Sequence, residues 1–403
     1  MPSSPMRILL MGEGSTLAHV GRPLLLARAL HQLGHDVVLA RPQAYAWMTA
    51  DAPFRVMDLE TQPPTEFAQR LDSGKPLYTF KTLQQYVEDD RKLIQEVRPG
   101  AIIGDFRLSL SVSARLERLP YATICDAYWS PETPLAPILP VFPWTQFAPL
   151  GLSQALFRHV APLAFRIHAR PMERLRRSYG LPGFEGDLRK CYTDADLRLF
   201  ANPPPLFPDV HPHSGALFIG PLAWSPDSAK FSAPPADGRP LVYVTMGSSG
   251  SPSALSALVP ALEHFDCNIV ISTAGRTLTS ELKSSRAYIA DYLPGDLMCA
   301  MADLVVCNGG SPTTNQALAN GVPVLGIPRN MDQFLNMRAI EAFGAGLTIR
   351  ADRSSAKLVT LAVDRLLHHP GYREQAGRIR TSCSRSNLSD ILPVILNTLD
   401  LVH

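Results

Sequence analysis

From Cys307 to Asn336 the chain runs CNGGSPTTNQALANGVPVLGIPRNMDQFLN. The apolar run that leads into it, ADLVVC, reads as a buried strand. Gly309 and Gly310 read as a turn, Thr313 to Asn320 as a helix, and VPVLGIP as a further strand. Glycine lets the backbone approach a ligand closely, and the unpaired amides of a first helical turn carry a partial positive charge that holds anions. The same strand, turn and helix is the unit from which parallel α/β sheets are assembled.

Outward from this stretch the alternation repeats. PLVYVTMGSSG opens the second half as a strand, followed by a helix from Ala254 to His264 and a strand at CNIVIST. In the first half, MRILLMGEG is a strand ending in glycine, PLLLARALHQLGH a helix closed by Gly34, and DVVLA a second strand. PGAIIGDFR, SLSVSARLERL and PYATICDAY repeat the unit. Between the halves, prolines cluster at positions 203, 204, 205 and 208 and again at 234, 235 and 240, which marks a stiff linker. The expected fold is α/β, two Rossmann-like domains at residues 1–205 and 241–385 with a Pro-rich linker over 206–240. Residues 386–403, SNLSDILPVILNTLDLVH, read as a final helix. Open parallel sheets bind ligands at the carboxyl ends of their strands, so two facing sheets offer a central cleft with one substrate on each side.

With 403 residues, 46% of them apolar, the chain is long enough for two such cores. A formal net charge of +2 without a sustained basic run argues against nucleic acid as a partner. The six cysteines form no CxxC pair, which argues against a zinc site and a disulfide framework and fits a reducing, cytoplasmic compartment. The apolar run before Gly12 is too short for a signal peptide, and no stretch is expected to span a membrane. Pro140 to Pro171 is rich in Phe, Leu and Ala, but Gln146, Gln154, Arg158, His159 and Arg166 interrupt it. It reads as helices lining a greasy surface, compatible with peripheral membrane contact.

The stretch from Asn308 resembles the donor signature of the UDP-glycosyltransferase family, GT-B enzymes of the bacterial natural-product, macrolide type. The Gly-Gly turn, Thr313 and the pair Asp332-Gln333 match, with Asp332 24 positions after Asn308. DYLPGDLMCAMADLVV resembles the family's base-cradling segment at Tyr292 and Leu293, and Gly247-Ser248 its strand-end loop facing the diphosphate. Ser15 to Val37 is similar to the N-terminal motif, with His19 15 residues before Gly34, and Asp105, closing AIIGD, stands where the family has an aspartate.

The resemblance implies an inverting, metal-independent transfer without a cofactor, from a UDP or dTDP hexose or deoxyhexose to a hydroxyl of a small apolar acceptor. His19 would be the base and Asp105 its partner. Asn308, Gly310, Ser311, Pro312, Thr313 and Ser248 would lie at the diphosphate, Gln316 at the ribose, Tyr292 and Leu293 at the base, and Asp332 with Gln333 at the sugar. In this fold the final helix crosses back to the first domain. The sequence departs from the family at Asn308, where histidine is usual, at Gln316, usually acidic, and at Pro312, usually glycine or asparagine. Trp129, Phe142 and Trp144, with Phe147 and Phe157, are candidate walls for a lipid, polyketide or aromatic acceptor. An N-cap or loop carboxylate held by neighbouring Arg107 is the structural alternative for Asp105. Asp194-Ala-Asp196 spells a metal-binding carboxylate pattern, but it precedes strand-like LRLF and is read as structural. Asn308 also leaves open a non-catalytic sugar-nucleotide-binding partner, and the fold is shared with non-hydrolysing sugar-nucleotide epimerases.

Overall fold

The computed structural model describes residues 5–134, 137–213, 215–222, 224–225, 237–247, 253–273, 287–385 and 387–401. The first lobe contains strands β1 (Arg7–Gly12), β2 (Asp36–Arg41), β3 (Arg55–Asp58), β4 (Ala101–Asp105), β5 (Tyr121–Cys125), β6 (Leu197–Phe200) and β7 (Ala216–Phe218). Its helices are α1 (Leu17–Gln32), α2 (Pro64–Asp72), α3 (Phe80–Val97), α4 (Leu110–Leu116), α5 (Leu150–Ser178) and α6 (Leu188–Thr193). The strands lie in the order β3-β2-β1-β4-β5-β6-β7, and every pair is parallel. β4 and β5 are buried along their whole length, as apolar runs covered by helices on both faces must be.

The second lobe contains β8 (Leu241–Thr245), β9 (Asn268–Ser272), β10 (Ala287–Ala290), β11 (Leu304–Cys307), β12 (Val324–Gly326) and β13 (Gly346–Thr348) in the order β10-β9-β8-β11-β12-β13, again parallel throughout. Around it lie α7 (Ser253–Leu262), α8 (Gly295–Met301), α9 (Ser311–Ala319), α10 (Met331–Phe343), α11 (Ala356–His368) and α12 (Pro370–Ser384). The chain ends in α13 (Leu388–Asp400), which buries Leu392, Ile395, Leu396 and Leu399 in the same core as Ile8, Leu10, Val20 and Leu24. Their spacing is that of one helical face, so this last helix packs on the first lobe. Ala216–Phe218, inside the stretch expected as linker, is instead the last strand of the first sheet. Three residues are too short to show a period.

The strand order reverses between β1 and β4 in one sheet and between β8 and β11 in the other. At such switch points the loops leave in opposite directions and open a crevice at the strand ends. The two crevices face each other, and contacts join the lobes beside them: Asn315 Nδ2 donates to Ala201 O at 2.8 Å and Val141 N to Arg329 O at 2.7 Å. An apolar cluster including Phe200 and Phe207 from one lobe and Val305 and Leu335 from the other continues the contact.

Candidate active site

On the first-lobe side, β1 runs into α1 through Gly12, where a Cβ would sit 2.6 Å from His19 O. Only glycine lets the helix start this close to the strand. His19 therefore sits in the first turn of α1 rather than in the preceding loop, opposite Asp105, whose Cα pairs in register with Gly12. Nδ1 of His19 is 2.7 Å from Oδ1 of Asp105. One turn on, Arg22 forks onto the same carboxylate, Nε at 2.7 Å from Oδ2 and NH2 at 2.8 Å from Oδ1. Its NH1 donates to Asp126 Oδ2 at 3.1 Å, and Asn202 Nδ2 donates to the other Asp126 oxygen at 3.0 Å. Burial works against the Arg22 charge, but Asp105 and then Asp126 outweigh it and push its pKa up. A fixed cation is thus clamped between two carboxylates at the strand ends.

Both Asp105 oxygens accept from Arg22, so Nδ1 of His19 is the donor in its contact with Asp105 and Nε2 is the nitrogen free to take a proton. Phe106 stacks on the imidazole with centroids 4.8 Å apart and planes 14° from parallel. It has a φ of +55°, uncommon for an aromatic residue. After this left-handed turn Arg107 points away from Asp105. It lies buried between Asp90 (2.9 Å) and Glu13 (3.3 Å), over the Tyr86 ring. The structural alternative for Asp105, a carboxylate held by Arg107, is not what the structure has.

On the second-lobe side, Gly309 has a φ of +82°, and a Cβ there would lie 2.6 Å from Met337 Cγ. That turn delivers the chain from β11 to α9, whose N-cap is Gly310 with Pro312 in the first turn, where a missing donor costs nothing. Asn308 Oδ1 accepts from Gly310 N at 3.0 Å, so Asn308 itself shapes the turn. Asn308, Gly310, Ser311, Pro312, Thr313 and Gln316 all line the cleft, as do Tyr292 and Leu293 at its edge. Ser248 lies outside the described residues; its neighbour Gly247 lines the cleft.

Asp332 and Gln333 open α10 and line the cleft too. Gln333 also closes a capping box with Asn330: its backbone N–H donates to Asn330 Oδ1 at 3.0 Å and its Oε1 accepts from Asn330 N at 3.5 Å, and that oxygen accepts from Arg329 N at 2.9 Å as well. Asp332 Oδ1 accepts from the indole of Trp129 at 2.7 Å across the lobes. Burial, and then the nearby Asp126 charge, push the Asp332 pKa up.

The cleft has a volume of about 750 Å³. His19, Arg22 and Asp126 lie on one wall and the α9 start on the other, and an apolar pocket extends between Phe67, Leu77, Phe106, Phe142, Phe165 and Tyr192. Trp129 and Phe142, expected as acceptor walls, both line it. Trp144 does not: it stacks on Phe142 with centroids 6.1 Å apart and is 51% exposed. Aromatic density marked the segment but not which rings face inward.

Sequence reasoning missed Arg22, Asp126 and Asn202, and also Trp47, which packs edge-on against Trp224 at the cleft rim. A signal for Arg22 existed, since it stands three residues after His19 on what proves to be one helix. Asp194 is held by Arg115 and Arg176, and Asp196 accepts from Tyr121 N, so both members of Asp-Ala-Asp are structural. Among the described residues no group of three or more His, Cys, Asp or Glu is placed to hold a metal ion, and no helix is long and apolar enough to cross a membrane.

Residues 256–393 match the family described as erythromycin biosynthesis protein CIII-like, C-terminal domain. Over 376 residues, 93% of this chain and 87% of the relative, the chain is 40% identical to a PGL/p-HBAD biosynthesis glycosyltransferase of Mycobacterium tuberculosis. It is 38% identical over 387 residues, 95% of this chain and 85% of the relative, to a PGL/p-HBAD biosynthesis rhamnosyltransferase of Mycobacterium bovis. Among solved structures it is similar to a spinosyn rhamnosyltransferase complexed with thymidine diphosphate, with a TM-score of 0.68, 23% identity and coverage of 97% of this chain and 100% of that one. The two facing parallel-sheet lobes are the GT-B fold, and with relatives this similar along nearly its whole length the chain belongs to the UDP-glycosyltransferase family of GT-B glycosyltransferases.

Proposed function

We propose that this glycosyltransferase moves a hexose or deoxyhexose from a nucleoside diphosphate onto a hydroxyl of an apolar acceptor, with inversion at the anomeric carbon. The observation that carries the reading is the placement of the His19–Asp105 pair and the α9 N-terminus on opposite walls of one cleft, each at the switch point of its own sheet. Nε2 of His19 takes the acceptor's hydroxyl proton while Asp105, fixed by Arg22, stabilises the imidazolium. The acceptor oxygen bonds to the anomeric carbon as the bond from that carbon to the diphosphate oxygen breaks, so a single displacement inverts the centre. Charge developing on the departing diphosphate meets the first-turn amides of α9 and the hydroxyls of Ser311 and Thr313, a stabilisation that needs no metal ion or cofactor.

Asp332 and Gln333 would recognise the sugar hydroxyls, Gln316 the ribose, and Tyr292 with Leu293 the base. The rhamnosyltransferase relative supports a deoxyhexose donor, and the thymidine diphosphate bound to a neighbour of the same fold supports a thymidine carrier. The phenylalanine-lined pocket supports an acceptor with a large apolar body. Purified protein incubated with TDP- and UDP-linked deoxyhexoses and an apolar acceptor alcohol or phenol tests the reading. A product of inverted anomeric configuration is expected, and retention, or no transfer from either carrier, would overturn it.

A further inference from the structure

Helix α5 has two unlike faces. Phe157, Ala164, Phe165 and His168 line the cleft. On a separate, outward face Leu152, Leu156, Val160, Leu163 and Ile167, spaced four, four, three and four apart, are between 44% and 72% exposed. That spacing keeps them in one stripe along the helix. Trp144, at 51%, and Phe147, at 84%, extend the exposed apolar surface just ahead of the helix. Scattered exposed leucines are ordinary, but an aligned row of five on one helix, beside two exposed aromatic rings, marks an interaction surface.

Along residues 150–172 every charged side chain of this helix is basic, and the exposed Glu185 is the acidic neighbour, beside Gly186, which packs against Arg166. Arg166 and Arg170 are exposed beside the stripe, Arg158 is exposed on another face of the same helix, and no Asp or Glu occurs between Glu132 and Glu173. An amphipathic helix with leucines on its outer face, arginines beside them and aromatic residues at one end suits the boundary between headgroups and acyl chains of an anionic bilayer. A second copy of the chain fits less well, because symmetric pairing would set these arginine-bearing faces against each other.

We propose that the outer face of α5 docks on an anionic lipid surface, with the leucine stripe, Trp144 and Phe147 entering the interface and the arginines meeting the headgroups. The cleft wall lined by Phe157 and Phe165 then lies within one helix diameter, roughly 10 Å, of the membrane. The enzyme would reach apolar molecules held there without any segment crossing the bilayer.

Sedimentation of the full chain with vesicles of phosphatidylcholine, with and without phosphatidylglycerol, tests the proposal. Binding to the mixed vesicles that weakens as salt is raised, and little binding to phosphatidylcholine alone, is the expected result. The double variants L156E/L163E and R166Q/R170Q should each lower the bound fraction about tenfold, with unchanged thermal unfolding showing that both are folded. None of these residues lines the cleft. Absence of vesicle binding by the unaltered chain, or binding that both folded variants retain, would overturn the proposal. So would a concentration-dependent dimer, abolished by L156E/L163E, in a chain that ignores vesicles.

Discussion

Nδ1 of His19 lies 2.7 Å from Oδ1 of Asp105, and that carboxylate is held on both oxygens by Arg22. The contact fixes which imidazole nitrogen is free, so Asp105→Asn should allow the wrong tautomer while leaving the fold intact. Transfer is expected to fall by roughly 10² to 10⁴ with little change in donor affinity, measured by steady-state rates beside calorimetric binding.

Arg22, on the cleft wall, holds Asp105 and through it positions His19. Arg22→Met leaves Asp105 and Asp126 without their shared cation, and the loss of one partner from a buried ion pair costs about 3–5 kcal/mol. Denaturant unfolding should show that loss. Arg22→Lys should recover much of the stability but less of the rate, because an ammonium cannot fork onto a carboxylate, and a shifted pH–rate profile would separate positioning from folding.

Asp332 predicts a trade between stability and activity. Its carboxyl pKa is raised above the ordinary 3.8 by burial, so above about pH 3.8 the unfolded chain binds fewer protons at this site than the folded one. Stability from this group is greatest below that pH and declines as pH rises through the raised value. Asp332→Asn keeps an acceptor for the Trp129 indole and removes the charge. The variant should melt on the order of 2 °C higher at neutral pH, with the gap closing towards pH 4, while transfer slows at least about tenfold.

The α9 turn depends on Gly309. Gly309→Ala places a Cβ against Met337 in a backbone conformation that alanine adopts with strain, so both thermal stability and diphosphate affinity should drop. Because the helix end and its hydroxyls receive the leaving group in this account, prior chelation of divalent metals should leave the transfer rate of the unaltered enzyme unchanged.

The alternation of apolar runs and glycine turns made both parallel sheets legible, because a strand buried on two faces is a continuous apolar word. The three-residue strands β7 and β13 were not marked in this way, whereas β12, equally short, lies in the longer apolar run VPVLGIP. Asp105 was legible at the end of AIIGD, whereas Arg22 was hidden by one local detail. The apolar spacing marks a helix only from Pro23, whereas α1 begins at Leu17, and that hid the helical spacing that sets His19 and Arg22 side by side. Contacts across the lobes, such as Trp129 with Asp332, depend on residues more than 200 positions apart and on the lobe packing, which no local pattern encodes. For the same reason the sequence marked Phe142 and Trp144 alike, although one lines the cleft and the other lies outside it.

The most direct test of His19 as the base is single-turnover transfer by His19→Ala at saturating donor, with donor affinity measured in parallel. With His19 as the base, the transfer rate falls by about 10² or more while donor affinity stays within about twofold of the unaltered protein. Transfer at the unaltered rate would contradict that role.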